Sequence, residues 1–280
     1  MNILTTTGWE DYELLDSGDS MRLERFGKYI ISKPDPQAVW KPSRSMNEWN
    51  NADAIFKDGK WKTKQNFPDK WVVNFKNLKF YAKLTPFKHT GIFPEQILNW
   101  EFIESKLNNL NYEAKVLNLF AYTGAASIVA AKTKAKVTHV DASKSSISWA
   151  KDNQLLSNLS PDSIRWILDD ALEFTEREQR RGNTYDAIIM DPPVYGHGPS
   201  GEVWNFDKSF PKLLENCNKI LSKKPLFIVA NAYAISASSI MLKNLFEDYF
   251  EVANVDYGEL SLKQKNERLL STGIYARISF

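Results

Sequence analysis

The chain has 280 residues, with 36 Lys and Arg against 34 Asp and Glu, a formal net charge of +2 and 43% apolar content. That composition suits a soluble globular protein of one or two domains, and it excludes a disordered tail, a collagen-like rod and a disulfide-stapled module. A single cysteine excludes a Cys-based zinc or iron–sulfur site, and three scattered histidines (His89, His139, His197) argue against a His-rich metal site, so no metal is expected.

The first fifteen residues carry Glu10, Asp11 and Glu13 in place of a basic and then apolar leader, and no apolar run reaches about 18 residues. The expectation is a cytoplasmic protein without a membrane span. Short strands separated by turns follow. Tyr12–Asp16 leads into Ser17-Gly18-Asp19, Leu23–Ser32 is broken by Gly27, and Asn51–Phe56 and Lys60–Lys64 flank the hairpin signal Asp58-Gly59. Pro34, Pro36 and Pro42 mark an irregular connection, and Trp71–Phe75 and Lys79–Leu84 complete a β-rich module.

Charge is uneven along the chain. Residues 57–88 hold nine Lys against Asp58 and Asp69, interleaved with Trp61, Phe67, Trp71, Phe75, Phe80, Tyr81 and Phe87. Lysines for phosphates and aromatics for base stacking are what a nucleic-acid surface needs. The competing explanation is a small β-structure with aromatics inside and lysines guarding edge strands.

After His89-Thr90-Gly91 the rhythm changes. Glu95–Leu107 has helical spacing behind Pro94, and short apolar strands then alternate with helical patterns. The strands are Lys115–Phe120, Lys136–Val140, Ser163–Leu168, Tyr185–Met190, Leu226–Ala230, Glu251–Asp256 and Thr272–Ser279. The helices are Ala125–Lys134, Ser145–Asn158, Leu172–Gln179, Phe206–Leu221 and Ser236–Tyr249. This alternation implies right-handed βαβ units and a doubly wound, largely parallel sheet. In such sheets ligands bind at the carboxyl ends of strands, near the switch point.

The strand ends carry the informative residues. The first strand runs into Phe120-Ala121-Tyr122-Thr123-Gly124, small enough in part for close backbone approach but with neither G-x-G-x-x-G nor G-K-[ST]. That absence argues against a nicotinamide-dependent oxidoreductase. Asp141 ends the second strand, about 20 residues beyond the Gly turn, where a ribose is held; it could instead cap the next helix, but the spacing favours the ribose. Asp169-Asp170 ends the third, one to accept an adenine amine and one to cap a helix, in an order that spacing leaves open. Asp191-Pro192-Pro193-Val194-Tyr195 ends the fourth, where two prolines remove two N–H donors and stiffen a turn that presents Asp191.

These four motifs together resemble class I S-adenosylmethionine-dependent methyltransferases. Thr90-Gly91-Ile92-Phe93-Pro94-Glu95-Gln96 and the long loop Gly196–Trp204 are similar to the branch of large-subunit ribosomal RNA methyltransferases that modify cytosine C5 or guanine N7. The resemblance implies an α/β, doubly wound Rossmann-like methyltransferase sheet over 88–280 and a small N-terminal β-rich accessory domain, for RNA binding, over 1–87. It implies S-adenosylmethionine as cofactor, with Phe93, Asn118 and Phe120, Ala121, Tyr122, Thr123 and Gly124 at its methionine end, Asn118 standing where many relatives have Asp or Glu. Asp141 would hold the ribose, Ala142 would lie against the adenine, and Asp169-Asp170 would serve the adenine amine through Asp170. Asp191 and Pro192 would line the meeting place of methyl and acceptor. Tyr195 sits one position later than the aromatic in the shortest form of that motif.

The acceptor is narrowed by chemistry. Cytosine C5 needs a Cys thiolate, and the only thiol, Cys217, sits at a core spacing among Leu213, Leu214, Ile220 and Leu221, while Asn231-Ala232-Tyr233 ends the fifth strand without a cysteine. A nitrogen of a base in RNA, ribosomal RNA above all, is the expected target. A protein or small-molecule acceptor and a non-catalytic adenosylmethionine-binding module are the alternatives. His197, Lys263, Lys265 and Arg268 are noted as candidate contacts, against the plainer reading of solvated loop residues.

Overall fold

The computed structural model describes residues 1–108, 110–233 and 236–280. The chain forms two compact units: Thr5–Ile97 with Ser261–Thr272, and Met1–Leu4 with Leu98–Leu260 and Gly273–Phe280. No single cut separates them, because the chain changes unit near both termini.

In chain order the front elements are β1 (Asn2–Thr6), β2 (Tyr12–Gly18), β3 (Met21–Phe26), β4 (Tyr29–Pro34), α1 (Met46–Asn50), β5 (Ala54–Lys57), β6 (Lys60–Thr63), β7 (Trp71–Phe75) and β8 (Leu78–Ala82). Strands β2 to β6 form one sheet in sequence order, with β6 at its edge, and β7 pairs with β8. The β5–β6 turn follows from Asp58-Gly59, whose φ angles of 54° and 74° suit a tight hairpin. Alternation sets burial on β7, where Trp71, Val73 and Phe75 point inward and Val72 and Asn74 outward. Helix α1 falls in a stretch the sequence marks only as irregular; Ser45 and Glu48 start it with a capping box.

This unit buries charge as well as apolar surface. Arg22, Glu24 and Lys33 project from β3 and β4 into its interior, with Asp35 and Glu95 also buried. Glu24 takes Lys33 at 2.9 Å, Arg22 at 3.3 Å and the Tyr12 hydroxyl at 2.8 Å.

The second unit contains α2 (Ile97–Leu107), β9 (Lys115–Leu119), α3 (Ala125–Lys132), β10 (Lys136–Asp141), α4 (Lys144–Leu156), β11 (Ile164–Leu168), α5 (Ala171–Arg181) and β12 (Ala187–Met190). It continues with β13 (Tyr195–His197), β14 (Val203–Asn205), α6 (Phe206–Lys219), β15 (Phe227–Ala232), α7 (Ser239–Tyr249), β16 (Asp256–Lys263) and β17 (Leu269–Ser279), of which Ser261–Lys263 and Leu269–Thr272 count with the front unit. The sheet order is β1-β16-β17-β15-β12-β9-β10-β11. Strands β11, β10, β9, β12 and β15 run parallel, and β17 is antiparallel to β15. The order reverses between β9 and β12, so the switch point lies at their carboxyl ends. This is the expected Rossmann-like α/β sheet.

Three local expectations change. Residues 251–255 are not a strand; Phe250 and Val255 are buried in the core as α7 passes to β16, which begins only at Asp256. Gly196–Trp204 is not an open loop but most of a hairpin, β13 against β14, with the Trp204 indole N–H donating to the Pro193 carbonyl at 2.6 Å. Pro94–Gln96 is a separate 3-10 turn ahead of α2.

Candidate active site

Backbone register aligns the strand-end residues. Met190 pairs with Leu119 and Ala230, Leu119 with Val140, and Asp141 with Leu168. The next residues, Asn231, Asp191, Phe120 and Asp141, therefore occupy one level along the carboxyl edge. Leu117, Leu119, Ile188, Met190, Ile228 and Ala230 enter the large apolar cluster. Alternation puts Asn118, Ile189 and Val229 on the opposite face, and Asn231 with them.

The loop after β9 is built under backbone strain. Phe120 and Tyr122 adopt positive φ of 52° and 47°, and Gly124 of 81°. A non-glycine residue held there costs on the order of 1–3 kcal/mol and persists only where its surroundings hold it. They do so here through Ala121 N–H on the Val140 carbonyl (3.1 Å), Tyr122 N–H on Asp141 Oδ2 (2.8 Å) and Asn153 Nδ2 on the Thr123 carbonyl (2.9 Å). A Cβ on Gly124 would meet the Ala150 methyl at 2.9 Å, so only glycine lets α4 approach.

Asp141 also accepts from the Ser143 N–H at 2.8 Å, and burial raises its pKa against the pull of those two backbone donors. Ser143, not Asp141, caps α4. Burial, with Asp141 nearby, pushes the Tyr122 phenol up to about 12. Ala142 is half-buried beside Asp141. Asp170 Oδ1 caps α5 by accepting from Leu172 and Glu173 N–H, and Asp169 is ion-paired with Arg177. The order that spacing left open is thus resolved for the cap.

Beneath the loop, Asn118 Nδ2 donates to Ser127 Oγ at 2.9 Å, and Ser127 Oγ meets His139 Nδ1 at 3.0 Å. His139 packs on Trp166 and is fully buried, which holds its pKa down to about 3 and keeps it neutral. Asp191 is half-buried and its N–H reaches the Leu119 carbonyl; Pro192 is buried. Tyr195 stands exposed on β13 with its ring against His197, also exposed. Phe93 belongs to the other unit, where its ring packs against His89.

Spacing alone did not reveal Asn99, Asn153 or Asn231 as parts of this arrangement. Asn99 and Asn231 are buried and bonded to each other, Nδ2 to Oδ1, at 2.7 Å across 132 positions. Cys217 is fully enclosed in the apolar cluster, and burial pushes its thiol pKa up. Among the described residues, no cluster of His, Cys, Asp or Glu could hold a metal ion, and no helix is long and apolar enough to cross a membrane.

The S-adenosylmethionine-dependent methyltransferase family model matches residues 57–246, more than half of the chain. The chain belongs to that family. It is a methyltransferase, and its methyl donor is S-adenosylmethionine.

A solved SAM-dependent methyltransferase from Agrobacterium tumefaciens is 42% identical, covers 100% of this chain and 93% of its own, and superposes with a TM-score of 0.96. Ribosomal RNA large subunit methyltransferase K/L of Shewanella frigidimarina (strain NCIMB 400) is 32% identical over 67% of this methyltransferase and 25% of that protein. Ribosomal RNA large subunit methyltransferase K of Neisseria meningitidis serogroup B (strain ATCC BAA-335 / MC58) is 23% identical over 72% of this chain and 55% of its own. The methyltransferase thus spans about a quarter of the K/L relative's length.

Proposed function

We propose that this methyltransferase methylates a nitrogen of a base in RNA, with ribosomal RNA as its acceptor. The observation that carries the reading is the row at the carboxyl edge. Asp191 stands across the switch point from Asn118 and Asp141, and the protein's only thiol lies in the apolar core.

The residues fit the cofactor by donor and acceptor chemistry. A ribose diol, an ammonium and an adenine amine all donate hydrogen bonds. Asp141, Asn118 and Asp170 bring acceptors to the ends of three adjacent strands. Asp141 takes the diol. The Asn118 oxygen, turned away from Ser127, takes the ammonium. Asp170 takes the amine while its Oδ1 caps α5, and Asp169 stays with Arg177. Phe120 to Gly124 give the methionine end a backbone wall, and Ala142 leaves room for the adenine.

When bound, S-adenosylmethionine supplies an electrophilic methyl on a sulfonium. The protein contributes position: Asp191 would accept a hydrogen bond from the acceptor N–H, aim the lone pair and receive the proton, while the new N–C bond replaces the methyl C–S bond, whose electron pair stays on sulfur as a neutral thioether. Pro192 fixes the turn and Tyr195 offers an exposed ring to the acceptor. RNA is supported by the names of the relatives and by Lys57, Lys60 and Lys62, exposed on the β5–β6 hairpin. Such an acceptor agrees with cytoplasmic work. The C-terminal candidates lend no support: Lys263 pairs with Glu267, Lys265 with Glu13, and Arg268 bonds the Lys41 carbonyl.

The test is transfer of a labelled methyl from S-adenosylmethionine into a fractionated cell extract. Label enters RNA, and nucleoside digestion then names the base and atom. Asp191→Ala lowers transfer about 1000-fold with cofactor binding kept, whereas Asp141→Ala weakens binding roughly 10–100-fold. Label in protein or small molecules rejects the RNA acceptor, and binding without label in any fraction favours a non-catalytic module.

A further inference from the structure

One chain of hydrogen bonds in the sheet unit ends beside Asp191. Asp256 Oδ2 holds the Arg277 guanidinium through Nε at 2.6 Å and is itself steadied by Tyr275 and Asn2. Arg277 NH1 donates to Asn99 Oδ1 at 3.4 Å and to the Leu98 carbonyl at 3.4 Å. Asn99 Nδ2 donates to Asn231 Oδ1 at 2.7 Å.

The chain has only one sense. A guanidinium donates and never accepts, so it takes the oxygen of Asn99. Asn99 must then turn its NH2 group toward Asn231, and Asn231 must answer with its oxygen. The amide nitrogen of Asn231 is left as the group turned away from Asn99. Ala230 pairs with Met190, so Asn231 is level with Asp191 on the adjacent strand, about 5 Å away across the sheet.

We infer that Asn231 is a specificity residue for the methyl acceptor, and that Asn99 and Arg277 are positioning residues that fix its amide with the nitrogen outward. The edge then offers one acceptor, Asp191, beside one donor, Asn231 Nδ2. It matches a nitrogen that still carries a proton next to a hydrogen-bond acceptor, as on an amide, lactam or amidine edge. A bare ring nitrogen beside a carbonyl presents two acceptors and would face the Asp191 carboxylate with like polarity. The inference rests on the proposed acceptor site at Asp191 and narrows what that site takes.

Two isosteric variants test it. Asn231→Asp keeps an oxygen for Asn99 and replaces the donor with an acceptor. Asn99→Asp leaves the edge untouched and keeps an oxygen for Arg277, but its second oxygen draws the Asn231 NH2 inward and turns the Asn231 oxygen out. Both are assayed on the full chain with in-vitro-transcribed, unmodified large-subunit ribosomal RNA and labelled S-adenosylmethionine, beside Asp191→Ala.

The expected result is a loss of at least about 100-fold in kcat/KM for RNA in both variants, since a site built for one hydrogen-bonding pattern rejects the other strongly. KM for S-adenosylmethionine and calorimetric affinity for S-adenosylhomocysteine stay within threefold on the order of experimental scatter, and nucleoside digestion of the wild-type product shows methyl on a nitrogen that bore a proton. Full transfer by both variants while Asp191→Ala is inactive overturns the role of Asn231 alone, as does methyl on an unprotonated ring nitrogen. Transfer by Asp191→Ala, or no label from the wild-type chain, overturns the RNA acceptor site itself.

Discussion

The two units differ in the polar groups that dominate their interiors. The front unit encloses a cluster of formal charges, Arg22, Glu24, Lys33, Asp35 and Glu95, with Gln264 also buried there, while the sheet unit, apart from Asp170 and Glu178 at α5, encloses mainly neutral amides and imidazole, among them Asn99, Asn118, Asn231 and His139. Buried charge ties strands together but leaves a heavy penalty when one partner is lost. Neutral amides have a direction, donor at one end and acceptor at the other, so they can hand orientation from residue to residue. A unit that must aim atoms at a ligand gains from the second kind. The sharpest way to break the contrast is Glu24→Gln, which removes the carboxylate shared by Arg22 and Lys33. We expect a loss of about 3–5 kcal/mol in urea unfolding of the full chain, against under about 1.5 kcal/mol for the near-isosteric Asn99→Asp. Equal losses would mean the two kinds of buried group do the same work.

The histidines extend the comparison to pH. His89, in the charged unit, is held down to about 4 by burial and then by Lys33 and Arg22; His139, in the neutral one, is held down to about 3 by burial alone. Both folded values lie below the usual 6.5, so the unfolded chain binds more protons between those limits. Their contribution is complete above pH 6.5 and is lost as pH falls toward 4 and 3. For His139 the loss is roughly 2 kcal/mol at pH 5, from 1.4 kcal/mol per unit. Urea midpoints from pH 7.5 to 4.5 should therefore fall less steeply in His139→Gln than in the wild-type chain. The offset at pH 7.5 reports packing and is not the test; parallel curves would show that His139 titrates normally in the fold.

The sheet was legible because its signals are short-range: apolar runs of strand length, helical spacing between them, and carboxylates at three strand ends, Asp141, Asp169-Asp170 and Asp191. The Asp58-Gly59 hairpin was legible for the same reason. What stayed hidden depends on pairs distant in sequence. Asn99 and Asn231 lie 132 positions apart, and nothing near either marks it as a partner. The assignment of Asp170 to the α5 cap required backbone N–H directions, which two adjacent aspartates do not disclose. Strand β16 starts later than expected because Val252 and Val255 read as strand although they fill core space in a connection. Glu24 and Lys33 occupy inward positions that alternation reserves for apolar side chains.

The lysines of the front unit give the smallest effect on stability and decide its role. Of the aromatics between residues 57 and 88, Trp71, Phe75 and Phe80 are buried. Trp61 donates to the Thr85 carbonyl, Phe67 packs on Tyr29 and Trp71, and Phe87 is exposed. Base stacking across the segment is therefore mostly closed off, and any RNA contact must come from charge. Lys60 and Lys62 lie on β6, the edge of the five-stranded sheet, where lysine also deters pairing with another chain. Replacing Lys57, Lys60 and Lys62 together by Gln should change stability by less than about 0.5 kcal/mol. If the hairpin touches phosphates, KM for RNA rises and its dependence on salt flattens by up to about three in logarithmic slope, one per lost contact, with kcat retained. If the lysines only guard the edge, KM and its salt dependence stay put, and light scattering reports self-association at high protein concentration instead.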